Sequence, residues 1–317
     1  MLSRIAESLY WIGRYVERAE DTARILDVHH HILLEDPWVD EEAICSALLA
    51  VMGVSQEVAS PTARTVTNLL AYDDANTTAI TGALWAAREN ARGVRDTISS
   101  EMWECLNATW HAVGERRALA LANPSPFFRF VKEQAAHFAG LAESTMSRDD
   151  AWRFMCLGTA LERVDMTCRL LTARWTDSAS VGTTDLSPSG SAGWVTTLRC
   201  CSAHEAYLRT YRRAVDTSLA ASFLLLDRLF PRSVYYSLAV AERRLAELSP
   251  GAGRYGTEDD ARRAVGRART ALEFRRIDEL LVDFPGVLAE VQAAGAEASA
   301  AVAARYFHHT QPVRWIA

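Results

Sequence analysis

Apolar residues recur at helical spacing along almost the whole chain. Near the N-terminus Ile5, Leu9, Ile12, Val16, Ala19 and Ala23 follow one another at steps that place them on a single helix face. No sustained alternation of apolar and polar residues, the mark of a strand, interrupts this pattern. The pattern predicts an all-α protein, a bundle of about ten helices, several of them long. Start signals divide the helices. Ser3 precedes a first helix reaching about Leu34. Ser60-Pro61, Ser125-Pro126 and Phe284-Pro285 put proline where a first turn tolerates it, and "SRDD" (147–150) and "TEDD" (257–260) outline capping boxes. Two polar stretches break the pattern. "TDSASVGTTDLSPSGSAG" (176–193) predicts a Gly/Ser-rich loop joining two halves of a single 1–317 domain, and "SPGAGRYG" (249–256) predicts a helix-to-helix turn.

The first helix carries "GRYVERAEDTARIL" (13–26), and the pattern returns as "GTALERVDMTCRLL" (158–171), an offset of 145 residues. The shared form is G-x-x-x-E-R-x-[ED]-x-T-x-R-[IL]-L. Eight of its fourteen positions agree, charged ones among them, which favours duplication over chance. In the first copy Gly13, Glu17, Glu20, Asp21 and Arg24 share one narrow face that borders the apolar stripe, and Glu20 and Arg24 are spaced to pair. Adjacent residues diverge on a helix. Glu17 and Arg18 are therefore not one ion pair, and Arg18 is expected to point away from the acidic face. In the second copy Leu157, Leu161, Val164 and Cys168 lie on one side of Glu162, with Met155 and Met166 on the other. Apolar flanks of this kind predict burial of Glu162, Asp165 and Arg169, and buried charges need partners. Glu162 and Arg169 are expected to form such a pair, and Glu17 and Glu162 to face a shared polar region.

Further arginines offer themselves as partners. "GALWAARENARGVRDTISSEMWECLN" (82–107) sets Arg88, Arg92 and Arg95 along one side, beside Glu89. Arg92 and Arg95 are expected to meet the repeat's carboxylates. Arg232 follows a proline after the apolar "FLLLDRLFP" and is expected to point inward. The candidate ligand- or partner-binding residues are then Glu17, Arg18, Glu20, Asp21, Arg24, Arg88, Glu89, Arg92, Glu162, Arg163, Asp165, Arg169 and Arg232.

Composition narrows the function classes. The chain has 317 residues, 49% of them hydrophobic, enough for a sizeable core. A net charge of -6 gives no footprint for non-specific nucleic-acid binding. There is no apolar run of membrane-spanning length, and "MLSRIAESLYWIGRYVER" lacks a signal-peptide core. The expected compartment is the cytoplasm, without nucleic-acid or membrane partners. Six cysteines without a CxxC pair predict reduced core residues. Asp27, His30, His31 and Glu35, and Glu133 with His137, do not supply the two E-x-x-H motifs of a helical di-metal site, so no metal and no cofactor are expected. His308-His309 are expected at the surface, and Trp11, Trp85, Trp103, Trp110, Trp152 and Trp175 in the core. "RRLAEL" (243–248) and "RRAVGRARTALEFRR" (262–276) read as solvated basic faces, the second able to dock an acidic partner. No P-loop, glycine-rich phosphate cradle, G-x-S-x-G or HExxH is present.

Over almost its whole length the sequence resembles the Alpha-E family, helical proteins with a conserved Glu-Arg motif. The resemblance rests on "MLSRIAESLYWIGRYVERAEDTAR", "AARENARGVRDTIS", "MWECLN", "LERVDMTCRLL" and "FLLLDRLFPRSVYYSL". It puts the family's motif on Glu17-Arg18 and again on Glu162-Arg163. It implies an all-helical cytoplasmic bacterial protein whose relatives are encoded beside, or fused to, a circularly permuted ATP-grasp protein, often with a transglutaminase-like protein nearby. The implied role is an accessory or substrate-handling component of an ATP-grasp-dependent system of peptide synthesis or modification. The alternative is an enzyme that uses a buried Glu/Asp/Arg cluster as acid, base and anion clamp on a small peptide or acyl phosphate. The sequence leaves both open, because the cluster fits a ligand pocket and a polar seam equally.

Overall fold

The apolar stripe of the first segment winds into one unbroken helix, α1 (Ser3–Glu35), and that of the second copy into another, α7 (Asp150–Ser180). They belong to a computed structural model that describes residues 2–36, 38–54, 58–120, 123–180, 188–249 and 256–307. The other helices are α2 (Glu41–Val51), α3 (Ala63–Ala71), α4 (Ile80–Gly93), α5 (Ser100–Leu119), α6 (Ser125–Thr145), α8 (Pro188–Cys200), α9 (His204–Tyr211), α10 (Thr217–Leu226), α11 (Val234–Leu248), α12 (Asp260–Glu273), α13 (Ile277–Val282) and α14 (Phe284–Tyr306). The described residues thus hold fourteen helices and no β-strand, against about ten expected. The surplus is in short helices such as α9 and α13, which span too few turns for periodicity to declare them. None of the helices is long and apolar enough to cross a membrane, among the described residues.

Several start signals are displaced by a residue or two. The inner aspartates do the capping: Asp149 Oδ1 accepts from Ala151 N at 3.0 Å and Asp259 Oδ1 from Arg262 N at 2.8 Å. Thr62 rather than Ser60 caps α3, accepting from Thr65 N at 3.2 Å. A short aspartate or threonine reaches the amide two or three positions on, and that reach fixes the cap. The loop expected at 176–193 is shorter, because α7 runs to Ser180 and α8 starts at Pro188; 181–187 lie outside the described residues, as do 250–255 and His308-His309.

Helix packing extends the repeat far beyond fourteen residues. α1, α4, α5 and α6 pack in a closed ring, each on the next. α7, α11, α12 and α14 pack in a second ring in the same order, and the two rings share the α1–α7 contact. The ring partners also match in sequence: Ile80, Leu84 and Ala87 of α4 answer to Val234, Leu238 and Ala241 of α11, all buried. Along the shared seam the contacts advance together. Gly13 lies against Met155 and Thr159, and Glu17 against Arg163, so α1 and α7 run in the same direction. A Cβ on Gly13 would fall on the carbonyl oxygen of Met155, and one on Gly158 on that of Tyr10. Tyr10 and Met155 are themselves equivalent positions of the repeat. The seam is therefore reciprocal, as across a two-fold axis, and glycine is required where the backbones touch.

Leu9, Ile12 and Ile25 of α1 and Leu157 and Leu171 of α7 are fully or almost fully buried around this seam. Each such side chain contributes about 1.5–3 kcal/mol. Trp11, Trp103, Trp110, Trp152 and Trp175 pack against the core, whereas Trp85, expected there, is 46% exposed. Five of the six cysteines are buried and Cys156 is half-buried; all are free thiols.

Candidate functional site

The two-fold seam explains the Glu-Arg pair. Arg18 Nε donates to Glu162 Oε1 at 2.6 Å and its Nη2 to Oε2 at 3.0 Å. Arg163 Nε donates to Glu17 Oε1 at 2.6 Å and its Nη2 to Oε2 at 2.9 Å. Each arginine serves the glutamate of the other copy through a two-pronged bond. Arg18 does diverge from Glu17, but it does not point away from the acidic region. The symmetry carries the flank of one helix over the carboxylate face of the other, so divergence within a helix becomes pairing between helices.

Each glutamate holds a second arginine, and here the symmetry ends. Glu162 also takes Arg14 Nε at 2.7 Å, while Arg14 Nη1 donates to Tyr10 Oη and Ser299 Oγ, each at 3.1 Å. Glu17 takes Arg232 Nη1 at 2.8 Å, from the turn ahead of α11. Arg232 points inward as expected and also meets Glu20 at 2.8 Å and Asp21. Its carbonyl accepts from Thr167 Oγ1 at 3.1 Å, which ties the turn to α7. Arg14 escaped the sequence reading because Thr159 stands at its repeat position; its place one turn before Arg18 was the available signal.

Burial pushes the Glu17 carboxyl up, and Arg232 and Arg163 more than reverse this, leaving it below the usual range. For Glu162 burial is likewise outweighed, by Arg14 and Arg18. Asp21 goes the other way. Burial raises it, Arg232 opposes, and the charges of Glu17 and Glu20 add to the rise, to about 7. Its Oδ2 is buried without a hydrogen-bond partner.

The outer repeat positions form local pairs, Glu20 with Arg24 and Asp165 with Arg169. The expected Glu162–Arg169 pair does not form, because Asp165, one turn from Arg169, takes its Nε at 2.9 Å. Asp165 and Arg169 are partly exposed, so of the three charges expected to be buried only Glu162 is. Arg88, Glu89 and Arg92 stand apart from the cluster. Arg88 Nε donates to Asn107 Oδ1 at 3.0 Å, and both Arg88 and Arg92 pair with Glu89, at 2.5 and 2.8 Å. Arg95 lies over the Trp103 ring. α4 turns Ala83, Ala87 and Ala91 inward, so its arginines face other directions and none reaches the Glu-Arg carboxylates.

A cavity of about 320 Å³ opens where α1, α6, α7 and α11 meet. Glu17, Glu20 and Arg163 line it, with apolar Phe138, Met155 and Val240. Glu162, Arg92 and Arg169 are not part of it. A second cavity, about 260 Å³, includes His29 and Cys200. His29 Nδ1 is held by the Ile25 carbonyl at 2.8 Å, and burial pushes the Cys200 thiol well up, so these two do not make an activated thiol. Asp27 pairs with Lys132 at 2.6 Å, and among the described residues no three His, Cys, Asp or Glu side chains are grouped to hold a metal.

Relatives repeat this chain inside longer proteins. An uncharacterized protein of Mycobacterium bovis and two of Mycobacterium tuberculosis are 27% identical over 308 residues, covering 87% of this chain. The match spans only 33% of each relative's own length. No solved structure matches. A family model described as a predicted alpha-helical domain with a conserved ER motif matches residues 1–307. The two Glu-Arg sequences of this chain, Glu17-Arg18 and Glu162-Arg163, form the crossed pairs of the seam, and the chain belongs to the Alpha-E family.

Proposed function

We propose that this protein is an accessory, substrate-handling component of an ATP-grasp-dependent system that makes or modifies a small peptide, and that the cavity beside Glu17 and Arg163 is where it holds its substrate. The observation that carries the reading is the saturation of the Glu-Arg cluster. Glu17 and Glu162 each accept from two arginines, so they hold the seam behind the cavity rigid, and neither has free capacity for proton transfer. Asp21, whose carboxyl is raised to about 7, does not line the cavity. These facts favour a holder over a catalyst. The setting comes from the family resemblance, and the relatives' unmatched two-thirds are what a fusion to a partner enzyme leaves. The chemistry of acyl-phosphate formation then belongs to the partner, and this chain presents the peptide.

Co-purification with a circularly permuted ATP-grasp protein of the same organism tests the reading, together with ligase turnover with and without this chain. The expected result is a complex at about 10 μM or below and turnover that depends on this chain. No association at tens of micromolar together with unchanged turnover removes the accessory role. Activity of this chain alone on a peptide or acyl phosphate, lost in Glu17→Gln and Glu162→Gln, replaces it with the enzyme reading.

A further inference from the structure

The cavity exists because the two halves differ at a few positions. In the first half, the repeat positions facing the ring junction are Tyr10, Trp11 and Arg14; in the second they are Met155, Cys156 and Thr159. In the first half Arg14 fills its place, bonded to Glu162, Tyr10 and Ser299. In the second, smaller side chains stand in those places, and Met155, Cys156 and Thr159 all line the hollow of about 320 Å³. That volume is in the range of small-molecule sites, roughly 300–1,000 Å³.

The unused bonding capacity around the hollow is cationic. Its acids are engaged: Glu17 with Arg163 and Arg232, Glu20 with Arg24 and Arg232, Glu143 with Arg148. Its arginines are engaged only in part. Arg163 gives Nε and Nη2 to Glu17, which leaves Nη1. Arg244 gives Nη1 to Glu247 at 2.6 Å and lies over the Trp152 ring, which leaves Nη2. Arg243 is exposed and enters no ion pair among the described residues. The same hollow is lined by the apolar side chains of Phe138, Met155 and Val240.

We propose that the cavity binds a small carboxylate with an apolar body, the carboxylate on Arg163, Arg243 and Arg244 and the body against Phe138, Met155 and Val240. A peptide's C-terminal residue with an apolar side chain has this chemistry. The inference names the ligand class of the substrate-handling reading and rests on that reading for its setting only.

Cys156 supplies a native reporter. It lines the cavity and is the one cysteine of the six that is not buried. Alkylation of the folded protein by iodoacetamide at alkaline pH, mapped by mass spectrometry, should mark Cys156 ahead of the five buried cysteines, and slowly, because burial pushes its thiol up to about 11. N-acetylphenylalanine should slow this at least about threefold at saturation, and its amide should not, because an amide cannot engage an arginine fork as an ion. Arg243→Gln, an exposed change that leaves the fold intact, should weaken the carboxylate about tenfold, as loss of one charged hydrogen bond does. Equal protection by acid and amide, no protection by either at about 10 mM, or an unchanged affinity in Arg243→Gln would overturn the site. Protection by phenyl phosphate and not by the carboxylate would overturn the assignment of the anion. Carboxylate binding without any effect on the ligase leaves the site standing and removes the ligase reading; a ligase that depends on this chain without carboxylate binding does the reverse.

Discussion

Glu162 is the most informative single position to remove. It is 2% exposed and accepts three hydrogen bonds, from Arg14 Nε, Arg18 Nε and Arg18 Nη2, at 2.7, 2.6 and 3.0 Å. Hydrogen bonds to charged groups are worth about 1.5–3 kcal/mol each, so full loss of all three would approach 5–9 kcal/mol. The real cost is smaller. Arg14 keeps Tyr10 and Ser299, Arg18 keeps the Thr77 carbonyl at 3.4 Å, and both guanidinium groups have some contact with water, at 14% and 17% exposure. Breaking a buried ion pair from one side typically costs about 3–5 kcal/mol, and Glu162→Ala should fall in that range. Glu115→Ala, at an exposed position on α5, should cost about 0.5 kcal/mol or less. Urea unfolding followed by far-UV circular dichroism measures both. A double-mutant cycle of Glu162→Ala with Arg18→Ala should be non-additive by about 1 kcal/mol or more, because the second change removes a charge the first has stranded. Glu162→Ala with a midpoint equal to that of Glu115→Ala, or strict additivity in the cycle, would refute the crossed pair as a stabilising element.

Two further perturbations follow from the same seam. Gly13→Ala and Gly158→Ala force a Cβ onto a carbonyl of the facing helix and should each destabilise by about 1–3 kcal/mol or more; Gly114→Ala and Gly295→Ala, where a Cβ meets nothing, should stabilise by about 0.5–1 kcal/mol. Thermal unfolding with the same sign for both sets would rule out close backbone contact at the seam. Asp21 predicts a pH effect. Its folded pKa, about 7, lies above its unfolded value, so its contribution is full below the unfolded pKa and is lost as pH rises through about 7. Glu17 and Glu162, lowered on folding, act oppositely: their contribution is present above the unfolded pKa and is lost in acid. Asp21→Asn should therefore flatten the fall in melting temperature between pH 5 and 8 and leave the acid limb in place, and curves that stay parallel to the unsubstituted protein would contradict this.

The helical class, the long first helix and the repeat were legible because each is a property of periodicity, and periodicity survives without knowledge of the partner. The position of Arg232 was legible from its apolar run and proline. Partner choice was not. A helical projection shows that Glu17 and Arg18 diverge, but only the parallel, two-fold packing of α1 on α7 turns that divergence into Arg18–Glu162 and Arg163–Glu17. Arg88 and Arg92 misled because α4 looked amphipathic in its charges, while its packing face was already supplied by Ala83, Ala87 and Ala91. The cavity was illegible for a related reason. It depends on small residues, Cys156 and Thr159, standing where the repeat elsewhere has Trp11 and Arg14, and a shared pattern hides the positions at which its copies disagree.

The extra arginine on each glutamate sets a last condition on the seam. If the crossed pair were an isolated unit, reversing it would preserve it: Glu162→Arg with Arg18→Glu gives the same bond with opposite sign. Glu162 is not so isolated, because Arg14 donates to it as well. In the reversed pair Arg14 would face a guanidinium group in a buried place, and a like-charge contact there costs stability that the restored bond does not recover. Glu162→Arg alone should be the least stable form, with three guanidinium groups together. Glu162→Arg/Arg18→Glu should recover part of the loss. Adding Arg14→Glu should recover more, since a carboxylate at position 14 meets the new arginine and can accept from Tyr10 and Ser299, its present neighbours. Unfolding midpoints in that order support a three-residue unit. A double variant as stable as the triple would mean that Arg14 contributes no charge to the seam, and that the symmetric pair is the whole of the motif.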